Sequence, residues 1–86
     1  MRTIKELLIL LRNELPMYIG RVGSGSICLT LEILRYSGRI TNDEYNVAKE
    51  YIRDHAPEGV EIFSYWWPRY ELSPRLEFLT KLINAL

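Results

Sequence analysis

The sequence predicts an all-α fold of four helices, and three observations carry that prediction. Two stretches, Thr3-Ile4-Lys5-Glu6 and Thr41-Asn42-Asp43-Glu44, share one start signal: the threonine hydroxyl can accept from the glutamate's backbone N–H while the glutamate reaches back. Apolar residues recur behind these starts at helical spacing. Only Val60-Glu61-Ile62-Phe63-Ser64-Tyr65 reads as extended, and a lone strand has nothing to pair with, so it reads as part of an ordered loop.

The first helix spans 4–14. Ile4, Leu7, Leu8, Leu11 and Leu15 form its stripe; Ile9 and Leu10 fall off it, which predicts a helix covered on two sides. Pro16 ends it. Gly20, Gly23 and Gly25, interleaved with Arg21, Ser24 and Ser26, then mark a loop. The second helix, 26–37, carries only Glu32 and Arg35 as charges, and a helix apolar on most faces is expected at the centre of a bundle. Gly38 suits a left-handed helix end.

Ile40 and Tyr45 flank the second capping box as a hydrophobic staple and open a third helix over 42–55. Tyr45, Ala48, Tyr51, Ile52 and His55 mark its inner face; Asp43, Lys49, Glu50 and Arg53 mark the wet one. Pro57 and Gly59 stop it. Ser73 as N-cap and Pro74 at the first helical position open the fourth helix, 74–85, with Leu76, Leu79, Leu82, Ile83 and Leu86 as its stripe.

Length and composition bound the function. The 86 residues suit one domain, 1–86, without repeat or linker. A chain this short buries about 60–65% of its unfolded surface, a thin margin that 22 Ile and Leu help to offset. Eleven basic and eleven acidic residues cancel, which argues against a generic polyanion binder and, with Asp43-Glu44 at the start of the third helix, against a helix-turn-helix DNA reader. The run Leu7-Leu8-Ile9-Leu10-Leu11 is too short to span a bilayer and lacks a cleavage site, so no membrane association is expected. A single Cys and the absence of an export signal fit the reducing cytoplasm.

The same inventory points away from catalysis. Cys28 lies in the most apolar helix, where a buried structural thiol is the ordinary outcome, and His55 sits at a helix end, where capping suits it. No nucleophile–base pair or metal-ligand set assembles, so the expectation is no enzyme, no metal and no cofactor.

Two segments point to binding instead. In Gly20-Arg21-Val22-Gly23-Ser24-Gly25-Ser26, backbone N–H groups could approach an anion near a helix start, although the ordinary reading of such a stretch is a connection between helices. In Phe63-Ser64-Tyr65-Trp66-Trp67-Pro68-Arg69-Tyr70, five of eight residues are aromatic, more than one small core hides with ease. Those rings could stack a base beside an arginine, plug the end of the bundle, or be buried in a homo-oligomer. Arginine outnumbers lysine eight to three, and guanidinium suits phosphate and carboxylate, though surface ion pairing also accounts for it.

From Gly25 onward the chain resembles a group of small proteins of tailed bacteriophages. The likeness rests on Gly25-Ser26-Ile27-Cys28-Leu29, on Ser37-Gly38-Arg39-Ile40-Thr41 leading to Glu44-Tyr45, and on Tyr65-Trp66-Trp67-Pro68 with Pro74-Arg75-Leu76-Glu77-Phe78-Leu79. The glycine stretch 20–25 departs from it. The resemblance implies a context, the host cytoplasm, where small phage proteins bind and inhibit host components and some sequester nucleotide immune signals. The expectation is therefore a homo-oligomeric anti-defence protein that binds a small phosphorylated ligand such as a nucleotide. Its ligand residues would be Arg21, Gly23, Ser24, Gly25, Ser26, Tyr65, Trp66, Trp67, Arg69 and Arg75. The alternative is a module that inhibits or recruits a host protein through the aromatic–arginine segment.

Overall fold

The computed structural model describes residues 1–18, 27–56 and 73–86. These form four helices in chain order, α1 (Ile4–Glu14), α2 (Ile27–Tyr36), α3 (Asn42–Asp54) and α4 (Ser73–Asn84), with a 3₁₀ turn, Leu15–Tyr18, after α1. No strand occurs among the described residues, and the fold is all-α. The extended stretch expected near 60–65 lies outside them.

Both capping boxes form. The Thr3 hydroxyl accepts from the Glu6 N–H at 3.1 Å, and Glu6 accepts from the Thr3 N–H at 3.0 Å. Thr41 and Glu44 repeat the arrangement at 3.1 and 2.9 Å. Each box satisfies N–H groups that a helix start leaves open, so both starts fall where the sequence places them. Pro16 is tolerated as the second residue of the 3₁₀ turn, and α1 stops ahead of it. α4 begins at Ser73, so this serine is already helical instead of capping from outside.

The α2–α3 connection closes as a Schellman turn. Gly38 has φ of +78°, its N–H donates to the Arg35 carbonyl, and the Arg39 N–H donates to that of Leu34, each at 3.0 Å. Ile40 and Tyr45 both join the core, as the staple requires.

Sequence periodicity places α2 at the centre of the bundle, but the packing puts α1 there. α1 packs against α2, α3 and α4. Leu7, Leu8, Leu11 and Leu15 are buried, and Ile9 and Leu10, off the main stripe, pack half-buried against the same core. Apolar residues on two sides let one helix serve three neighbours. α2 contributes Ile27, Leu31 and Leu34, α3 contributes Tyr45, Ala48 and Ile52, and α4 contributes Leu79, Leu82 and Ile83. Each fully buried side chain of this kind is worth about 1.5–3 kcal/mol of transfer free energy.

Two stripe residues depart from expectation. His55 is exposed because α3 ends at Asp54. Its ring stacks on Tyr51 at 4.1 Å, and its Nδ1 lies 2.8 Å from the Tyr51 carbonyl. Leu86 is exposed because α4 ends two residues before it.

Candidate functional site

Of the ten residues that the sequence nominates, Arg21, Gly23, Ser24, Gly25, Ser26, Tyr65, Trp66, Trp67 and Arg69 lie outside the described residues. Arg75 lies within them, in the first turn of α4. It is only 2% exposed, and burial pushes its pKa down from the ordinary arginine value. Its side chain therefore does not lie on the outer surface. The sequence nominates it as a ligand residue without indicating its burial, because a first-turn position carries no signal of which way it faces.

The carboxylates that stand out in the sequence are engaged structurally. Glu44, 2% exposed, accepts from the backbone N–H of Arg2 at 2.9 Å and from the Arg2 guanidinium at 3.1 and 3.2 Å. The Thr41 N–H, first, and the Arg2 groups hold its pKa down to about 2. Asp43-Glu44 is therefore a weaker acidic start to α3 than it reads: one carboxylate is turned inward and paired. Nothing in the sequence signals the Arg2 contact, which joins positions 42 apart. Glu6 is likewise held below the ordinary carboxylate range by Thr3. Glu14 pairs with Arg39, tying α1 to the α2–α3 turn.

An open cleft of about 550 Å³ runs between α1 and that turn, lined by Arg2, Glu6, Ile9, Leu10, Asn13, Gly38 and Arg39. Its size falls in the range of small-ligand sites, but both of its arginines are held in ion pairs with Glu44 and Glu14.

A second cluster joins α2 to α3. The Arg35 guanidinium lies over the Tyr45 ring, 4.1 Å from its centroid, and over the Tyr36 ring at 4.9 Å. Its Nη2 donates to the Tyr36 hydroxyl at 3.3 Å. The Lys49 ammonium stands 5.6 Å from the same Tyr45 ring. Tyr45 is buried whereas Tyr36 is 78% exposed, so the cluster runs from the core out to the surface. Sequence reading treated Tyr45 and Lys49 as opposite faces of α3 and did not single out Tyr36; the helical spacing of Tyr45 and Lys49, four residues apart, was the available signal.

Among the described residues, no group of His, Cys, Asp and Glu is arranged to hold a metal ion, and no helix is long and apolar enough to cross a membrane. Comparison with protein-family models, with curated proteins and with solved structures finds no match to the chain.

Proposed function

We propose that this chain is a non-enzymatic binding protein that sequesters a small phosphorylated ligand of the nucleotide class. The aromatic run 63–70 is the observation that carries the reading: five of its eight residues are aromatic and Arg69 lies among them, and such rings can stack a base while a guanidinium is suited to hold phosphate in two-pronged fashion. Arg75 follows the aromatic run 63–70 closely in the chain. In this reading Tyr65, Trp66 and Trp67 stack the base, Arg21, Arg69 and Arg75 supply charge, and Gly23, Ser24, Gly25 and Ser26 donate to phosphate. The phage-like pattern from Gly25 onward supports an anti-defence setting in the host cytoplasm, with a homo-oligomer burying the surplus aromatic surface.

Native mass spectrometry of gently purified protein tests this, followed by titration with a nucleotide panel. Oligomers carrying a few hundred daltons of extra mass per site are expected. Trp66→Ala and Trp67→Ala should each cost about 1–3 kcal/mol of binding per stacked base. Unchanged affinity in both variants, with helix content intact, would sink the stacking role. The aromatic and arginine content of 63–70 favours a second reading, a hot spot for a host protein. A stoichiometric protein partner captured from host lysate and lost in Trp66→Ala, with no nucleotide retained, would establish that reading in place of the first.

A further inference from the structure

We infer that the surface formed by Arg35 and Tyr36 at the end of α2 and by Asn46, Lys49 and Arg53 on α3 docks a short acidic segment of a partner protein. Three observations converge on it.

The first is the state of Arg35. Its guanidinium rests over two tyrosine rings and gives one donor to the Tyr36 hydroxyl. Among the described residues, no carboxylate lies within ion-pair distance of it. A guanidinium carries five N–H donors, so the ring contacts fix its position and leave donors at its edge for an incoming carboxylate. Its place in the last turn of α2, at the negative end of the dipole, stabilises the charge there.

The second is the exposed ring beside it. Tyr36, 78% exposed, is the most exposed large hydrophobic side chain among the described helical residues. Tyrosine and arginine dominate energetic centres of protein interfaces, because a rigid ring buries much area at little entropic cost.

The third is how charge is sorted along α3. Asn42, Asn46, Lys49 and Arg53 recur at helical spacing and share one stripe, which holds no acid. Asp43, Glu50 and Asp54 share the neighbouring stripe. The cationic strip lies on the side of Tyr45, and therefore of Arg35. With Arg35 and Arg53 as its anchoring cations this surface selects an acidic ligand, and the acidic stripe beside it selects a short one. A nucleic acid duplex lying along α3 would meet the adjacent acidic stripe as well, and the neutral net charge offers little compensation. A few carboxylates on an extended segment meet only the strip.

This surface shares no residue with the proposed nucleotide site, so either proposal can fail alone. The test is a nitrogen-15 NMR titration of the full chain with a hexa-glutamate peptide at low and at high salt, with hexa-lysine as the sign control. Saturable shifts are expected at Arg35, Tyr36, Asn46, Lys49 and Arg53 with hexa-glutamate only, weakening as salt is added. Arg35→Met and Tyr36→Ala should each reduce affinity about fivefold or more, whereas Lys81→Ala on α4 should leave it unchanged. Tyr36 is exposed, so its variant keeps the fold even if the loss of Arg35 disturbs the packing of Tyr45. The inference is overturned by an absence of shifts, by shifts centred on the Arg2 and Arg39 cleft, or by affinity indifferent to both substitutions. Binding of a short DNA duplex at these residues without binding of hexa-glutamate would also overturn it and assign the surface to nucleic acid.

Discussion

Replacing Gly38 isolates one energetic contribution with little else mixed in. Its φ of +78° lies where a Cβ collides with the residue's own carbonyl, and an added Cβ meets no other heavy atom within 4 Å. Gly38→Ala therefore carries no tertiary clash. The left-handed backbone costs about 1–2 kcal/mol. Against it stands a gain of about 0.4–1 kcal/mol from the lower entropy of the unfolded alanine chain. The net loss is about 1 kcal/mol, which in a domain of this size lowers the Tm by about 4–8 °C. Gly38→Asn should lose less than half as much, because asparagine enters the left-handed region more readily. Far-UV circular dichroism melts of the three proteins at one pH decide it. Equal Tm values for glycine and alanine, or a larger loss for asparagine than for alanine, would refute the assignment of this turn as the strained end of α2. A loss beyond about 3 kcal/mol would refute the claim that the site is sterically open.

Other outcomes follow from the core and from Glu44. Leu11→Ala, at a fully buried position in the central helix, should cost about 2–5 kcal/mol. A domain of this length has about 4–13 kcal/mol in total. The urea midpoint should fall sharply with an unchanged slope; a loss within about 0.5 kcal/mol, as at a surface position, would contradict the placement of α1 at the centre. The Glu44 carboxyl is held at about 2, below its ordinary 4.5, so its stabilising effect is complete above 4.5 and drains as the pH falls toward 2. Wild-type Tm should decline over that window, and Glu44→Gln should flatten the acid limb while lowering Tm at neutral pH. Parallel pH profiles for the two proteins would show that Arg2 and Thr41 do not hold the charge as described.

Features set within a few residues were legible in the sequence. Each capping box pairs a threonine with a glutamate three positions on, and the Schellman turn is closed by bonds among Leu34, Arg35, Gly38 and Arg39. The chemistry of these ends depends on side chains that sit beside one another whatever the rest of the chain does. Helix number and order followed from these signals together with apolar spacing. Of the candidate site, composition singled out the aromatic–arginine run and the glycine stretch by residue type alone. It could not rank Arg75 as a buried group, since one guanidinium in a first turn reads the same whether it faces water or the core.

Contacts between distant positions decided the rest. α1 became the central helix in place of α2, because a seat at the centre depends on how many neighbours need an apolar face and not on one helix's own hydrophobicity. Asp43-Glu44 reads as an acidic pair, yet Arg2, 42 positions away, neutralises the inner carboxylate and leaves the other on a separate stripe. Arg35 and Tyr36 acquire meaning only when α2 docks beside α3 and brings Tyr45 and Lys49 to them. Capping and turn energies act over one helical turn and can be read along the chain; burial and charge pairing act through space and exist only once the helices have met.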